Sequence, residues 1–377
     1  MRVTFVSGEY PPDVGGVADY TYHLAHAVRG LGHEATVVTS GDARSNVDCV
    51  PVRRAPGWRL ADVPSTARTI VDTRPDVVSF QYVPHMYGRG GVAAGAAALP
   101  WLLRRAGAPC VVSTMHEIAS RWEARPRRTA AAFAHRAQAM LIAAASDRLV
   151  ATNAAYARQL RRWTRGRRPV SEIPAGASIL PARHGASGVA TLRSSLGGDR
   201  QALVGEFSPF AVGKQPQALI ALARQLGPVA QLVLIGGLRA DDARRAAFER
   251  AAADAGVSDR ITWTGQLSPS DVSRHLAALD LYVHTHIAGA SPRSTTLVTA
   301  LAHGLPIVAF DGPETGSSLR AAACLVPAGD VDALGRMAES MLEDPHARTE
   351  AGVRARDLHE RGFRWDVIAR TLMEALP

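Results

Sequence analysis

From Leu281 to Phe310 the chain reads as a strand (Leu281 to Thr285), a loop rich in Gly, Ser, Pro and Arg, a short helix, and a second strand (Pro306 to Phe310). This order of elements recurs along the chain and confines it to layered α/β architectures. Leu297 and Leu301 lie one helical turn apart with Ala300 between them, giving the helix a narrow apolar face. Gly304 stands where a left-handed C-terminal cap belongs. At the other end Ser294, Thr295 or Thr296 can cap the helix start, where unpaired backbone N–H groups and the macrodipole favour an anion. A strand that delivers a polar loop to a helix N-terminus is a common way to hold a diphosphate.

At 377 residues the chain exceeds what one hydrophobic core usually holds, so two domains are expected. No run of 18 or more apolar residues occurs, and the apolar start MRVTFVSGEYPP is too short for a signal-peptide core, which points to a cytoplasmic protein. The widely spaced Cys49, Cys110 and Cys324 fit neither a disulfide framework nor a metal site. A net charge of +9 raises nucleic acid or membrane binding as classes. However, only one of the 43 basic residues is Lys, at position 214, so scattered Arg reflects a bias acting over the whole chain. The same bias singles out Lys214, because a compact ammonium and a planar guanidinium suit different sites.

In chain order, Arg2 to Ser7 is a strand that runs into the glycine pair Gly15-Gly16 and a helix carrying Tyr20, Leu24, Ala27, Val28 and Leu31, with a second strand from Ala35 to Thr39. Without G-x-G-x-x-G this is not a dinucleotide fingerprint. Asp76 to Tyr82 reads as a buried strand followed by the Gly-rich loop PHMYGRGG. Ligands bind at the carboxyl edge of an open parallel sheet, which makes Gln81, Tyr82 and His85 candidates for acceptor contacts. Cys110 to Met115 is a further strand, ending in His116 and Glu117. From Ser120 to Arg168 the chain is mostly helical and contains the basic run RQLRRWTRGRR. Such a run can seat a chain on an anionic membrane, but the chain-wide Arg bias favours a solvated face. The stretch ILPARHGASGVATLRSSLGGDRQ has no sustained period and reads as an inter-domain linker. Beyond it strands recur at Ala202 to Glu206, Gln231 to Ile235 and Ile261 to Thr264, with helices over about Ala240 to Ala255 and Ser268 to Ala278. Asp330-x-Asp332 looks like a metal-binding pair, but the helix that follows makes Asp330 an N-cap, and no metal is expected.

The frame from Ser291 to Ala309 resembles the donor segment of family-4 (GT4-like) retaining glycosyltransferases, E-x7-E followed by A-x-A-x-G-x-P-[VI]-V-A. Ala300, Ala302, Gly304, Pro306, Ile307, Val308 and Ala309 fit it, while Ser291 and Thr299 replace both acids. The resemblance implies the GT-B fold, two Rossmann-like doubly wound domains facing a cleft. These would be residues 1–183, completed by a terminal helix at 364–377 that crosses back to cover the first domain, and residues 184–363. It also implies transfer of a sugar from a UDP- or GDP-linked donor to a small-molecule acceptor with retention, needing no metal or cofactor, in a setting such as natural-product biosynthesis. Lys214 would meet the donor diphosphate, helped by Ser294, Thr295 and Thr296, with Arg293 supplying charge where the family's Arg is replaced by Glu206 or Ser208. Gly15 and Gly16 would let backbone approach the donor phosphates or the acceptor. Gly265, Gln266 and Leu267 would face the nucleobase. Ser291 and Thr299 would bond donor hydroxyls, and His116, at the end of VVSTMHE, would hold the transferred sugar. The alternatives are a non-catalytic relative, suggested by the lost acids, a nucleotide-sugar epimerase or hydrolase, and a nucleic-acid binder, which no aromatic-basic interleaving supports.

Overall fold

The computed structural model describes residues 1–377 apart from 14, 41–45, 48, 119–125, 198–200, 212 and 239–240, and the side chains of 46–47, 89 and 126–128 are also outside the description. The starts expected for helices at Ser120 and Ala240, and residues 198–200 of the expected linker, fall outside it.

The chain divides into two compact units, Met1–Ala175 with Trp365–Pro377, and Gly176–Arg364. In the first unit β1 (Arg2–Ser7), α1 (Gly16–Gly30), β2 (Glu34–Thr39), β3 (Asn46–Val47), β4 (Val50–Arg54), α2 (Val63–Val71), β5 (Val77–Tyr82), α3 (Ala94–Arg105), β6 (Val111–Met115), α4 (Pro126–Ala145), β7 (Arg148–Ala151), α5 (Ala154–Trp163) and β8 (Val170–Glu172) follow in order. They build one sheet, β3-β4-β2-β1-β5-β6-β7-β8, parallel except for β3. All six residues of β5 are buried, as a strand covered on both faces requires. Alternate residues serve opposite faces: Val78, Phe80 and Tyr82 join one core, Val77 the other, and β1 divides in the same way, Val6 against Val3 and Phe5.

The second unit holds α6 (Ala186–Ser195), β9 (Ala202–Phe207), α7 (Pro216–Leu226), β10 (Ala230–Ile235), α8 (Ala243–Asp254), β11 (Ile261–Trp263), α9 (Pro269–Ala277), β12 (Leu281–His284), α10 (Thr295–Ala302), β13 (Ile307–Phe310), α11 (Ser317–Ala322), β14 (Cys324–Val326), α12 (Val331–Glu343) and α13 (Pro345–Gly362). Its sheet runs β11-β10-β9-β12-β13-β14, with every pairing parallel. Leu203, Val233, Tyr282 and Ile307 point to one core and Val204, Leu232, Leu281 and Val308 to the other.

The chain passes to its second unit at Ala175, where the sequence reading draws the border after residue 183. The stretch read as a linker carries helix α6, which has no fully buried residue; Val189, Leu192 and Leu196 only partly bury against the core beside it, a face too short among Ser, Ala and Gly to stand out as a period. The last helix, α14 (Trp365–Glu374), belongs to the first unit, where Trp365, Ile368 and Leu372 pack with Tyr20, Leu24 and Val28 of α1. Asp330 caps α12 through a 2.8 Å bond from the Ala333 N–H.

Candidate active site

In an open parallel sheet the crevice forms where successive connections depart to opposite sides. In the second unit that point lies between β9, which is followed by its neighbour β10 on one side, and β12 on the other. The loops leaving β9 and β12 enclose a pocket of about 160 Å³ lined by Ala211, Lys214, His286, Ser291, Arg293, Ser294, Thr295 and Thr296. Five residues expected at a donor diphosphate, together with Ser291, are therefore brought to one place from two distant stretches of chain. Ser294 is the residue that caps α10, accepting from the Leu297 N–H. Gly304 adopts the left-handed conformation (φ 65°) just past the end of α10.

The two cations of the pocket are each held by a carboxylate. Lys214 Nζ lies 3.0 Å from Glu206 Oε1, with side chains only 2% and 0% exposed. It also donates to the Phe207 carbonyl at 2.6 Å. Glu206 in turn accepts from Thr285, the backbone N–H at 3.0 Å and the hydroxyl at 2.8 Å. The lone ammonium thus lies at the pocket but is turned toward Glu206, a correction to the reading of Lys214 as an open phosphate contact. Burial lowers the Lys214 pKa more than Glu206 raises it. His284, also fully buried, lies 3.9 Å from Glu206 through Nδ1 and is held neutral by burial and by Lys214. Arg293 Nε donates to Glu314 Oε2 at 2.7 Å. Sequence reasoning noted Glu206 as the occupant of a basic position without seeing that it pairs with Lys214. It also passed over His286 and the Glu314 partnership, because none of these pairings has a local signature.

Thr299 leaves the proposed donor contacts. Its buried hydroxyl accepts the backbone N–H groups of Ser178 and Ile179, at 3.2 and 3.3 Å, and so fastens the chain where it enters this unit. His303, one turn on, completes the fastening. Its Nδ1 donates to the Thr299 carbonyl, and its Nε2 accepts from Ser273, whose oxygen holds the Ala182 N–H. Burial pushes the His303 pKa down to about 4. The unfolded chain therefore takes up this proton first, and stability is lost as pH falls from about 6.5 toward 4. From this residue alone the loss reaches about 2 kcal/mol at pH 5. The melting temperature is expected to fall over that window, and less steeply in His303→Asn; identical slopes would refute the assignment.

Ser291 stays at the pocket, its hydroxyl accepting from the Arg293 N–H at 3.4 Å. Gly265, Gln266 and Leu267 follow β11 after Thr264, with Gly265 at φ 69°, and so sit at the carboxyl edge of the same sheet.

In the first unit, Gly15 provides space rather than a phosphate cradle. A side chain there would collide with the Glu9 carboxylate, which accepts the Ala18 N–H and already occupies the start of α1. Gly16 is exposed, with open space where a Cβ would stand. Asp19 beside it is raised to about 6 by burial and by Glu9. Gln81 and Tyr82 are buried on β5, which corrects their reading as acceptor contacts. Gln81 donates to Ser79 and presents Oε1 to His116 Nε2 at 2.9 Å, so the Nε2–H tautomer is favoured and Nδ1 is the ring's acceptor. The Tyr20 ring packs edge-on against His116, with centroids 4.5 Å apart. His85 is exposed, its ring against His135.

Residues 15–176 match the model of the glycosyl transferase 4-like domain, and residues 207–358 that of glycosyl transferases group 1. A GDP-mannose-dependent alpha-(1-6)-phosphatidylinositol monomannoside mannosyltransferase of Mycobacterium tuberculosis is 24% identical over 100% of this chain and 98% of its own length. A GDP-mannose-dependent alpha-mannosyltransferase of the same organism is 26% identical over 99% of this chain and 95% of its own. Among solved structures, Anabaena HepE in complex with UDP matches with a TM-score of 0.77 at 18% identity over 99% of both chains. The sucrose-phosphate synthase of Thermosynechococcus elongatus matches with 0.76 at 20% identity, over 99% of this chain and 97% of that one. Both halves of the sequence match models of one enzyme class and both sheets occur in its solved structures, so the chain belongs to the group 1, GT4-like glycosyltransferases and is a glycosyltransferase of the GT-B fold.

Proposed function

We propose that this glycosyltransferase takes its sugar from a UDP- or GDP-linked donor and passes it, with retention and without a metal, to a small-molecule acceptor. The observation that carries the reading is the pocket at the start of α10, where Arg293, Ser294, Thr295 and Thr296 converge over the buried Lys214. Free N–H groups of a helix start and the macrodipole favour the diphosphate and stabilise the charge that develops as it leaves. A phosphate oxygen of the leaving group then takes the acceptor's proton. The family resemblance assigns His116 to the transferred sugar, and Gly265 to Leu267 offer backbone to the base. The GDP-mannose-dependent relatives and the UDP complex of HepE support a nucleotide sugar and leave both bases open.

The test is calorimetry with UDP, GDP, UDP-glucose and GDP-mannose. One nucleotide is expected to bind, and Thr296→Asp, which sets a negative charge at the helix mouth, is expected to weaken it about tenfold or more. Binding unaffected by that substitution would move the donor elsewhere, and no binding to any of the four would favour a relative without catalysis.

A further inference from the structure

His284 of β12 is 0% exposed, and neither of its ring nitrogens has a hydrogen-bond partner among the described residues. Leaving buried polar atoms unbonded is unfavourable, and a leucine would fill much the same space without that penalty. The ring stands between Tyr282 and His286, nearly parallel to both, with centroids 6.4 and 6.0 Å away. His286 lines the pocket at the start of α10, so His284 lies one ring behind it. Its Nδ1 is 3.9 Å from Glu206 Oε1, the same oxygen that pairs with Lys214. Glu206 thus has two basic groups against it, of which only the ammonium is charged. Burial holds His284 neutral, helped by the charge of Lys214 and by His286. The remaining titratable neighbour among the described residues, Tyr282, is kept un-ionised by burial. Helix α10, which packs on this face, and β13, paired beside it, carry no titratable side chain.

Lys214 and Glu206 differ in their freedom to move. Lys214 ends a flexible stem and lines the pocket, whereas Glu206 is fixed by the Thr285 N–H and hydroxyl. A diphosphate in the pocket attracts the ammonium, and Glu206 cannot follow. A buried carboxylate left without a counter-charge is strongly unfavourable. His284 already stands beside it, and the departure of Lys214 together with the arrival of phosphate charge favours its protonated form.

We propose that Lys214 turns from Glu206 to the donor diphosphate, and that His284 takes a proton from solvent and replaces it as the counter-charge of Glu206. The inference deepens the donor reading and rests on it. No covalent bond between heavy atoms changes. The neutral imidazole gains one proton, so that both ring nitrogens carry one, and the Nδ1–H closes on Oε1 from 3.9 Å to about 2.8 Å. The proton returns to solvent when the nucleoside diphosphate leaves and Lys214 turns back. His284 is therefore a positioning residue, acting on the donor by freeing Lys214.

The test is titration calorimetry of the full chain with UDP-glucose and GDP-mannose, in buffers of different ionisation enthalpy, about one pH unit above the ordinary histidine pKa. Both ligands are diphosphate diesters with no phosphate that titrates there. The parent is expected to take up about one proton per donor bound. His284→Leu is expected to take up none and to bind about tenfold or more weakly, with a melting temperature equal to or above that of the parent. A purely structural role would instead lower the melting temperature and leave the proton count unchanged. Binding without buffer dependence, or equal uptake by the variant, would overturn the proposal and leave the donor reading standing. Binding of neither ligand would remove the donor reading and the proposal with it. If His284→Leu does not fold, the ring-nitrogen NMR signals of the parent histidines decide. Saturation with donor is expected to convert one neutral ring to imidazolium, and unchanged rings would overturn the proposal.

Discussion

Glu206→Gln is expected to cost about 3–5 kcal/mol of stability, because it strands a buried ammonium without its counter-charge. Lys214 is almost closed off from water in the folded unit, its side chain being 2% exposed, so without Glu206 the amine must remain without a counter-charge or lose its proton on folding. Glutamine keeps an oxygen for Thr285, which separates the lost charge from the lost hydrogen bonds. For a unit of this size a loss of 1 kcal/mol lowers the melting temperature by about 2–4 °C, so a fall on the order of 10 °C is expected. Adding Lys214→Met removes the stranded charge and is expected to recover most of that fall. A single variant melting within about 2 °C of the parent would mean that the pair does not brace this part of the molecule. The same experiment bears on catalysis, because releasing Lys214 from Glu206 changes the charge beneath the α10 pocket.

The second large effect is expected from Gly289→Ala. Gly289 lies in the loop between β12 and α10 with φ +83°, a conformation costly for alanine. Its missing side chain leaves room for the backbone of Asp311 and Gly312, and a Cβ would collide with the Gly312 nitrogen. Neither neighbour can yield as a flexible side chain does, so the loop itself must shift. The shift passes along Ala290, whose N–H bonds the Phe310 carbonyl, to Ser291 and Arg293. Misplacing groups that position a reacting diphosphate by about 1 Å costs on the order of 100-fold in rate, and kcat/KM is expected to fall by that much. Unchanged transfer by Gly289→Ala would show that the loop does not set the position of the donor.

Much of this was legible in the chain because it depends on neighbours in sequence. Buried parallel strands are near-continuous apolar runs, Asp330 and Ser294 cap helices a few residues away, and Gly304 ends α10. Recurrence of strand and helix therefore carried the two-sheet architecture, and the frame from Ala300 to Ala309 carried the resemblance to a family. Helix α6 escaped because its apolar side, Val189 with Leu192 and Leu196, is short and only half-buried.

What tertiary structure alone decided is the use to which each polar residue is put. Lys214 stands out by composition, yet its 3.0 Å contact with Glu206 arises only when the loop after β9 folds back on its own strand. Thr299 reads in sequence as standing at the place of a family acid, and only the path of Ser178 and Ile179 shows its hydroxyl already taken. Gln81 lies at the carboxyl edge where ligands bind, but the parallel neighbour β6 brings His116 against it and makes it a support. Periodicity and capping act within about a turn of the chain and are written in it directly. Ion pairs and hydrogen bonds between residues tens of positions apart depend on where the sheets bring those residues, and no local pattern encodes that.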